Sequence, residues 1–281
     1  PSVALIHSGN LVQQGFRFFI TTKEKTSMNK QNAVTNKKFD LSVATLHILA
    51  MTLMLMDHLW ATLLPAQEWL TCAGRVAFPI FAFMTVEGYF HTHSFKKYML
   101  RLLAFALISE IPFDLMYGGT WFYPFHQNVI WTFLLALLGI HLMETVHKKQ
   151  NVFLYVITVV LVVVVGALLG TLSMVDYYGA GILTVFVFYF LHGRKWWCFL
   201  GQLAALYWLN VELLGGLMYP VQLFGMEFEL CQQGLALLAL IPIWLYRGRQ
   251  GYHSKPFQYL CYAFYPVHML LLVVVLNFIN R

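Results

Sequence analysis

Nine apolar runs occupy most of this chain and limit what it can fold into. A helix needs about 20 apolar residues to cross the roughly 30 Å of hydrocarbon in a bilayer. Runs of about this length recur at residues 43–64, 70–90, 98–117, 128–146, 152–170, 178–192, 196–217, 231–246 and 257–279. The sequence therefore predicts an all-α membrane protein, a polytopic bundle of about nine transmembrane helices. The sixth and eighth runs are short and residues 213–228 leave room for an interfacial or re-entrant piece, so eight or ten helices remain alternatives.

Composition agrees with lipid as the surrounding solvent. The chain is 59% hydrophobic and 11% charged, whereas a soluble domain carries about 25% charged residues. The apolar runs form one domain, residues 39–281, after a polar N-terminal segment at residues 1–38. Met28 opens a stretch typical of a cytoplasmic lead-in. We therefore expect residues 1–27 to be non-native or an upstream extension.

Basic residues follow the alternation of a nine-helix arrangement. Of the 18 lysines and arginines, all but Arg75 and Arg281 lie before the first run or at the loops after the second, fourth, sixth and eighth runs. Cytoplasmic loops are enriched in Lys and Arg, so the pattern predicts a multi-pass protein with a cytoplasmic N-terminus. The net charge of +6 is then a topology signal. Membrane lipids are the expected surroundings, and no nucleic-acid partner is expected.

Ionisable residues inside the apolar runs are the candidates for function, because they are costly in a membrane and usually face a cavity or the bundle interior. One group is predicted at a similar depth toward the outer face: Asp57, His58, Arg75, Glu110, Asp114, His126 and Asp176. An Asp-His pair beside an arginine suits a general base. Adjacent helical residues point about 100° apart, so Asp57 and His58 need not touch. A purely structural pairing of Arg75 with Asp57 or Glu110 is the alternative.

A second group lies toward the predicted cytoplasmic face. It comprises Glu87, His91, His93, Lys96, Lys97 and Arg101. These residues suit an anion cradle for a phosphorylated ligand, or else a basic loop that faces lipid headgroups. His268 follows the helix-kinking Pro266 at inner to middle depth. No histidine spacing predicts a metal site.

These residues lie in blocks that resemble the TraX family, named for the conjugal pilin acetylase. The likeness runs from about Phe39 to the C-terminus. The strongest blocks are Met56-Asp57-His58 and residues 74–83, followed in order by residues 86–88, 91–94, 97–102, 109–114, 178–179 and 265–268.

The resemblance implies an integral-membrane acyltransferase of the bacterial cytoplasmic (inner) membrane. Such an enzyme passes an acetyl or other acyl group from cytosolic acetyl-CoA, its cosubstrate, to an amine or hydroxyl acceptor. The acceptor is a small molecule or a peptide, including a protein N-terminus such as that of pilin. On this basis the catalytic residues are His58, Asp57 and Arg75, with His58 as the general base and Asp57 or Arg75 as the residue that orients it. The expected cofactor-binding residues are Glu87, His91, Lys97, Arg101 and His268, and the expected substrate-binding residues are Glu110, Asp114, Asn128, Asp176 and Tyr178.

Two other functions fit the same residues. Chains of Asp, Glu and His across a bundle also suit a proton-coupled membrane transporter, although we find no internal repeat of the kind that many transporters contain. A non-catalytic assembly protein, in which the polar residues only set helix packing, is the third possibility. The residues leave open the acceptor, the acyl length and the oligomeric state.

Overall fold

The computed structural model describes residues 40–223, 225–252 and 254–280 of the chain. The polar segment predicted at residues 1–38, with its first 27 residues, lies outside them.

Helices dominate the described residues. In chain order they are α1 (Val43–Thr62), α2 (Glu68–Gly74), α3 (Ala77–His91), α4 (Phe95–Tyr117), α5 (Val129–His147), α6 (Val152–Leu172), α7 (Tyr178–Phe190), α8 (Trp196–Tyr207), a π-helix (Trp208–Leu214), a 3₁₀ helix (Gln232–Ala239), α9 (Leu240–Leu245) and α10 (Lys255–Ile279). Helices α2 and α3 form one apolar segment, as do α8 with the π-helix and the 3₁₀ helix with α9. Counted in this way, the described residues contain nine helical segments, each overlapping one predicted run.

The lengths and compositions of these segments define candidate membrane spans. Within the described residues, six segments are long and apolar enough to cross a membrane: Val43–Thr62, Glu68–His91, Val129–His147, Val152–Leu172, Trp196–Leu214 and Lys255–Ile279. Two further apolar segments are shorter, and α4 is 23 residues long but carries Lys96, Lys97, Arg101, Glu110 and Asp114. The prediction of an all-α, multi-pass membrane protein is confirmed at this level. Nine crossings and a cytoplasmic N-terminus stay predictions.

Two small sheets interrupt the helical pattern. Strand β1 (Leu41–Ser42) pairs in parallel with β4 (Tyr246–Arg249), and β2 (Met218–Leu223) forms an antiparallel hairpin with β3 (Met226–Cys231). The hairpin occupies much of the region where an interfacial or re-entrant piece is predicted. Within the predicted run at residues 196–217 the helix ends before Gly215. Gly215 has a φ of 61°, which glycine adopts without steric cost.

Polar residues at the helix starts set their boundaries. A side-chain oxygen accepts a hydrogen bond from a backbone N–H of the first turn at Ser42, Ser94, Asn128, Asn151 and Ser254. Such caps satisfy donors that have no partner within the helix. Five helices therefore begin where the sequence places Ser or Asn before an apolar run.

Helix α3 lies at the centre of the bundle and α6 at its edge. Ile80, Ala82 and Val86 of α3 are fully buried, whereas most of α6 is exposed and composed of Val and Leu. Helix α3 packs against α1, α7 and the 3₁₀ helix. The middle of α3, through Glu87, is thus carried into the interior.

Small residues bring α6 and α7 into close contact. A Cβ atom added at Gly170 would lie 2.8 Å from the Tyr178 carbonyl oxygen, and one added at Gly179 would overlap the Ala167 carbonyl. Gly166 and Gly170 form a G-x-x-x-G pattern, which is typical of close helix packing in membranes.

We expect Gly170→Ala to lower the free energy of unfolding by about 1–3 kcal/mol, because the new methyl group meets backbone that has no room to move. Thermal unfolding in detergent measures the change. Gly166→Ala is the control, since its Cβ would meet only side-chain atoms, at 3.2 Å. Equal losses in both variants would contradict this packing.

Candidate functional site

A cavity of about 240 Å³ lies among α1, the α2–α3 junction, the end of α4, the start of α7, the 3₁₀ helix and α10. Its ionisable lining residues are Asp57, His58, Arg75, His126 and Asp176. Its aromatic lining residues are Phe78, Phe81, Tyr117, Tyr177, Tyr178 and Tyr265. The structure thus brings together most of the residues predicted at one depth.

Arg75 is held in place by three elements. Its guanidinium forms an ion pair with Asp57 of α1, donates to the Gln233 Oε1 atom of the 3₁₀ helix at 3.4 Å, and donates to the Thr71 carbonyl at 3.3 Å. The Thr71 hydroxyl also donates to Asp57, at 2.7 Å. Gly74 makes this pairing possible, because a Cβ atom there would overlap Asp57.

His58 has a different partner from Asp57. Its Nδ1 atom lies 2.7 Å from Nε2 of His268 on α10, and both side chains are buried. We expected Asp57 or Arg75 to orient His58. In the structure Asp57 is bonded to Arg75 and Thr71, while His268 is the hydrogen-bond partner of His58.

Asp176 and His126 form another part of the wall. Asp176 Oδ1 lies 3.5 Å from His126 Nε2 and accepts from the Tyr177 N–H at 3.1 Å. Tyr177 and Tyr178 have φ angles of 61° and 49°, in the left-handed region that costs a non-glycine residue roughly 1–2 kcal/mol. Backbone strain of this kind clusters at functional sites. Asp176 and Tyr178, two of the expected substrate-binding residues, both line the cavity.

The other three expected substrate-binding residues belong to a neighbouring network. The Glu110 carboxylate accepts from the Asn128 amide and from Trp131 Nε1, the latter at 2.8 Å. Asp114 accepts from the Tyr123 N–H at 3.0 Å, and Asn128 caps α5. These contacts hold α4 against α5 and the loop between them. Glu110 and Asp114 share the predicted depth, but neither they nor Asn128 line this cavity.

The predicted inner group divides into a buried and an exposed part. Glu87 accepts from the Tyr246 hydroxyl at 2.9 Å and lies 2.5 Å from His192 Nε2. His91 Nδ1 is bonded to the Glu87 carbonyl at 2.8 Å. By contrast, the His91, Lys97 and Arg101 side chains are exposed. His268, expected with this group, lies against His58 instead, because helix α10, which contains Pro266, packs on α1.

The sequence analysis missed several residues of these networks, because they carry no permanent charge. Gln233 donates to Asn210 Oδ1 at 3.0 Å, and both are buried behind Arg75. Tyr246 and His192 complete the Glu87 network. The available signal was a polar amide inside an apolar run, since such residues often bond across membrane helices. The π-helix that carries Asn210 leaves no comparable mark in the sequence, although such helices frequently occur at functional sites.

Six candidate membrane spans around a cavity lined by ionisable residues define the class, a polytopic α-helical membrane protein. The chain belongs to the TraX protein family, which matches residues 42–276. This confirms the resemblance. The chain is also 31% identical over 122 residues to the probable fimbrial assembly protein FimC, serogroup H1, of Dichelobacter nodosus. That match covers 37% of this chain and 48% of the relative, so it spans about half of the relative's length. No solved structure matches the chain.

We expect Asp57→Asn and Arg75→Gln each to lower the free energy of unfolding. The loss in the double variant should be smaller than the sum of the two single losses. Removing one partner leaves a largely buried charge without its counterion, at a cost of about 3–5 kcal/mol. A double-mutant cycle on thermal unfolding in detergent measures the coupling. Additive effects of the two substitutions would show that the ion pair does not stabilise the fold.

Proposed function

We propose that this protein is an integral-membrane acyltransferase that passes an acetyl group from cytosolic acetyl-CoA to an amine or hydroxyl acceptor. The observation that carries the proposal is the placement of His58 and Arg75 in one cavity. TraX proteins are associated with pilin acetylation in general terms, and the Dichelobacter relative is described as a probable fimbrial assembly protein. Both support a protein N-terminus as the leading acceptor.

The chemistry needs a base and a group that stabilises negative charge. As the acceptor atom bonds to the thioester carbonyl carbon, His58 takes its proton. Arg75, held by Asp57 and Gln233, is positioned to stabilise the charge that develops on the carbonyl oxygen. The carbon–sulfur bond then breaks and the CoA thiolate leaves with a proton. No covalent enzyme intermediate is required.

The cavity is large enough for the reacting groups but too small for the rest of the acyl-CoA donor. A pocket that encloses a drug-sized ligand measures about 300–1,000 Å³, whereas this cavity measures about 240 Å³. It suits an acetyl group and the end of an acceptor, and not the whole of CoA. We place the phosphates of CoA at the exposed Lys97 and Arg101, at the opposite end of the bundle.

The walls also favour an acceptor with positive charge. The Asp176 carboxylate attracts an ammonium group. Tyr177 and Tyr178 belong to the same lining, and aromatic rings attract cations. An amine bound in this way releases one proton to water before it attacks, and His58 takes the second proton as the new bond forms.

We expect His58→Gln to lower the rate of acetyl transfer by a factor of about 10²–10⁴, the usual contribution of a general base, while acetyl-CoA binding is retained. The assay uses detergent-purified protein with an N-terminal peptide acceptor, and calorimetry measures binding. His47→Gln is the matched control, because His47 lies on the same helix, with Nδ1 3.0 Å from the Val43 carbonyl, but outside the cavity. Full activity in His58→Gln would refute its role.

We expect Lys97→Gln and Arg101→Gln each to raise the KM for acetyl-CoA about tenfold or more, because each removes a charged hydrogen bond worth about 1.5–3 kcal/mol. The kcat at saturating donor should change little. Lys149→Gln, another exposed lysine predicted on the same face, serves as the control. An unchanged KM in both variants would move the CoA phosphates elsewhere.

Binding of CoA separates this function from the alternatives. A protein that shows no thermal shift with acetyl-CoA, but drives substrate flux into sealed vesicles without it, would be a transporter and not an acyltransferase.

A further inference from the structure

His58 and His268 meet end to end across the interface between α1 and α10. Their Nδ1 and Nε2 atoms are 2.7 Å apart, and their ring planes are inclined by only 9° with centroids 4.9 Å apart. Stacked ring atoms touch at roughly 3.5 Å. The much shorter nitrogen–nitrogen distance therefore indicates an in-line N–H···N hydrogen bond and not a face-to-face stack.

A backbone carbonyl determines the direction of this bond. His268 Nδ1 lies 2.6 Å from the Phe264 oxygen, and a carbonyl oxygen can only accept. His268 Nδ1 must therefore carry a hydrogen. A neutral imidazole has one N–H and one acceptor nitrogen, so His268 Nε2 accepts and His58 Nδ1 donates. The lone pair of His58 is then on Nε2.

Burial supports a neutral pair. The exposed fractions of His58 and His268 are 7% and 5%, and a buried charge without a counterion is strongly unfavourable. The nearest acidic group on α1, Asp57, is already paired with Arg75. The two histidines thus satisfy each other without a carboxylate.

We infer that His268 is a positioning residue: together with the Phe264 carbonyl it holds His58 in the tautomer whose Nε2 atom acts as the base. The inference rests on the proposed acyltransferase function and assigns to His268 a role other than cofactor binding. In the transfer step the acceptor's proton moves to His58 Nε2 while Nδ1–H remains bonded to His268. The CoA thiolate, as the leaving group, then takes that proton.

Two substitutions of His268 test this role kinetically. His268→Leu removes the acceptor, and we expect kcat to fall by a factor on the order of 10² or more, with the KM for acetyl-CoA unchanged. His268→Gln offers Oε1 to the His58 Nδ1–H, so it should retain most of the activity. His47→Leu is the matched control, since it removes a histidine with the same type of carbonyl bond from outside the cavity.

Three kinetic results would overturn the inference. These are full kcat in His268→Leu, a loss confined to the KM for acetyl-CoA, and a His268→Gln variant as inactive as the leucine variant. The second would restore His268 as a cofactor-binding residue.

A spectroscopic measurement tests the tautomer without any reaction. In ¹⁵N-histidine-labelled protein, the signals lost in His58→Gln identify His58. We expect a neutral ring protonated at Nδ1 in the wild type, changing to the Nε2-protonated form in His268→Leu. An Nε2-protonated His58 in the wild type would overturn the inference. If wild-type protein transfers no acyl group from any acyl-CoA, the proposed function fails, while this spectrum still decides the tautomer.

Discussion

The burial of the Arg75 guanidinium is the constraint to which the surrounding structure conforms. A charge inside a bundle is costly unless it is paired and its hydrogen-bond donors are satisfied. Here Asp57, Gln233 and the Thr71 carbonyl meet this need from three different elements. Gly74 allows α2 to approach α1 closely enough for the pairing. One ion pair thereby fixes the position of α1, and with it His58, relative to the wall of the cavity.

Much of the fold could be predicted because apolar runs and basic loops report position along the membrane normal. The first run was predicted at residues 43–64, and α1 spans Val43–Thr62. Depth also grouped Asp57, His58, Arg75 and Asp176, which share the cavity. Depth does not tell which helices are neighbours or which face a side chain occupies. Glu110 has the expected depth but faces α5, and the His58–His268 contact joins residues 210 positions apart, beyond the reach of any local pattern.

The two polar sites are connected through the central helix α3. Phe81 lines the cavity, and Glu87 lies six residues further on, at about 9 Å for a rise of 1.5 Å per residue. Between them the Phe83 ring packs edge-on against Phe188 and Tyr246, with centroids 5.7 and 5.6 Å apart. Tyr246 also donates to Glu87. This aromatic cluster therefore lies along α3 between the two sites that the proposed reaction uses.

The buried apolar residues of α3 between the two polar sites form a layer that affects the electrical insulation of the membrane. A unit charge that crosses a potential of 100 mV gains about 2.3 kcal/mol, so a continuous water-filled path through the bundle would dissipate that potential. Ile80, Ala82 and Val86 are fully buried along α3, and they lie between Arg75 and Glu87 in the chain. A membrane that holds this protein can therefore present titratable sites at both ends of one helix while the apolar layer between them opposes ion leakage.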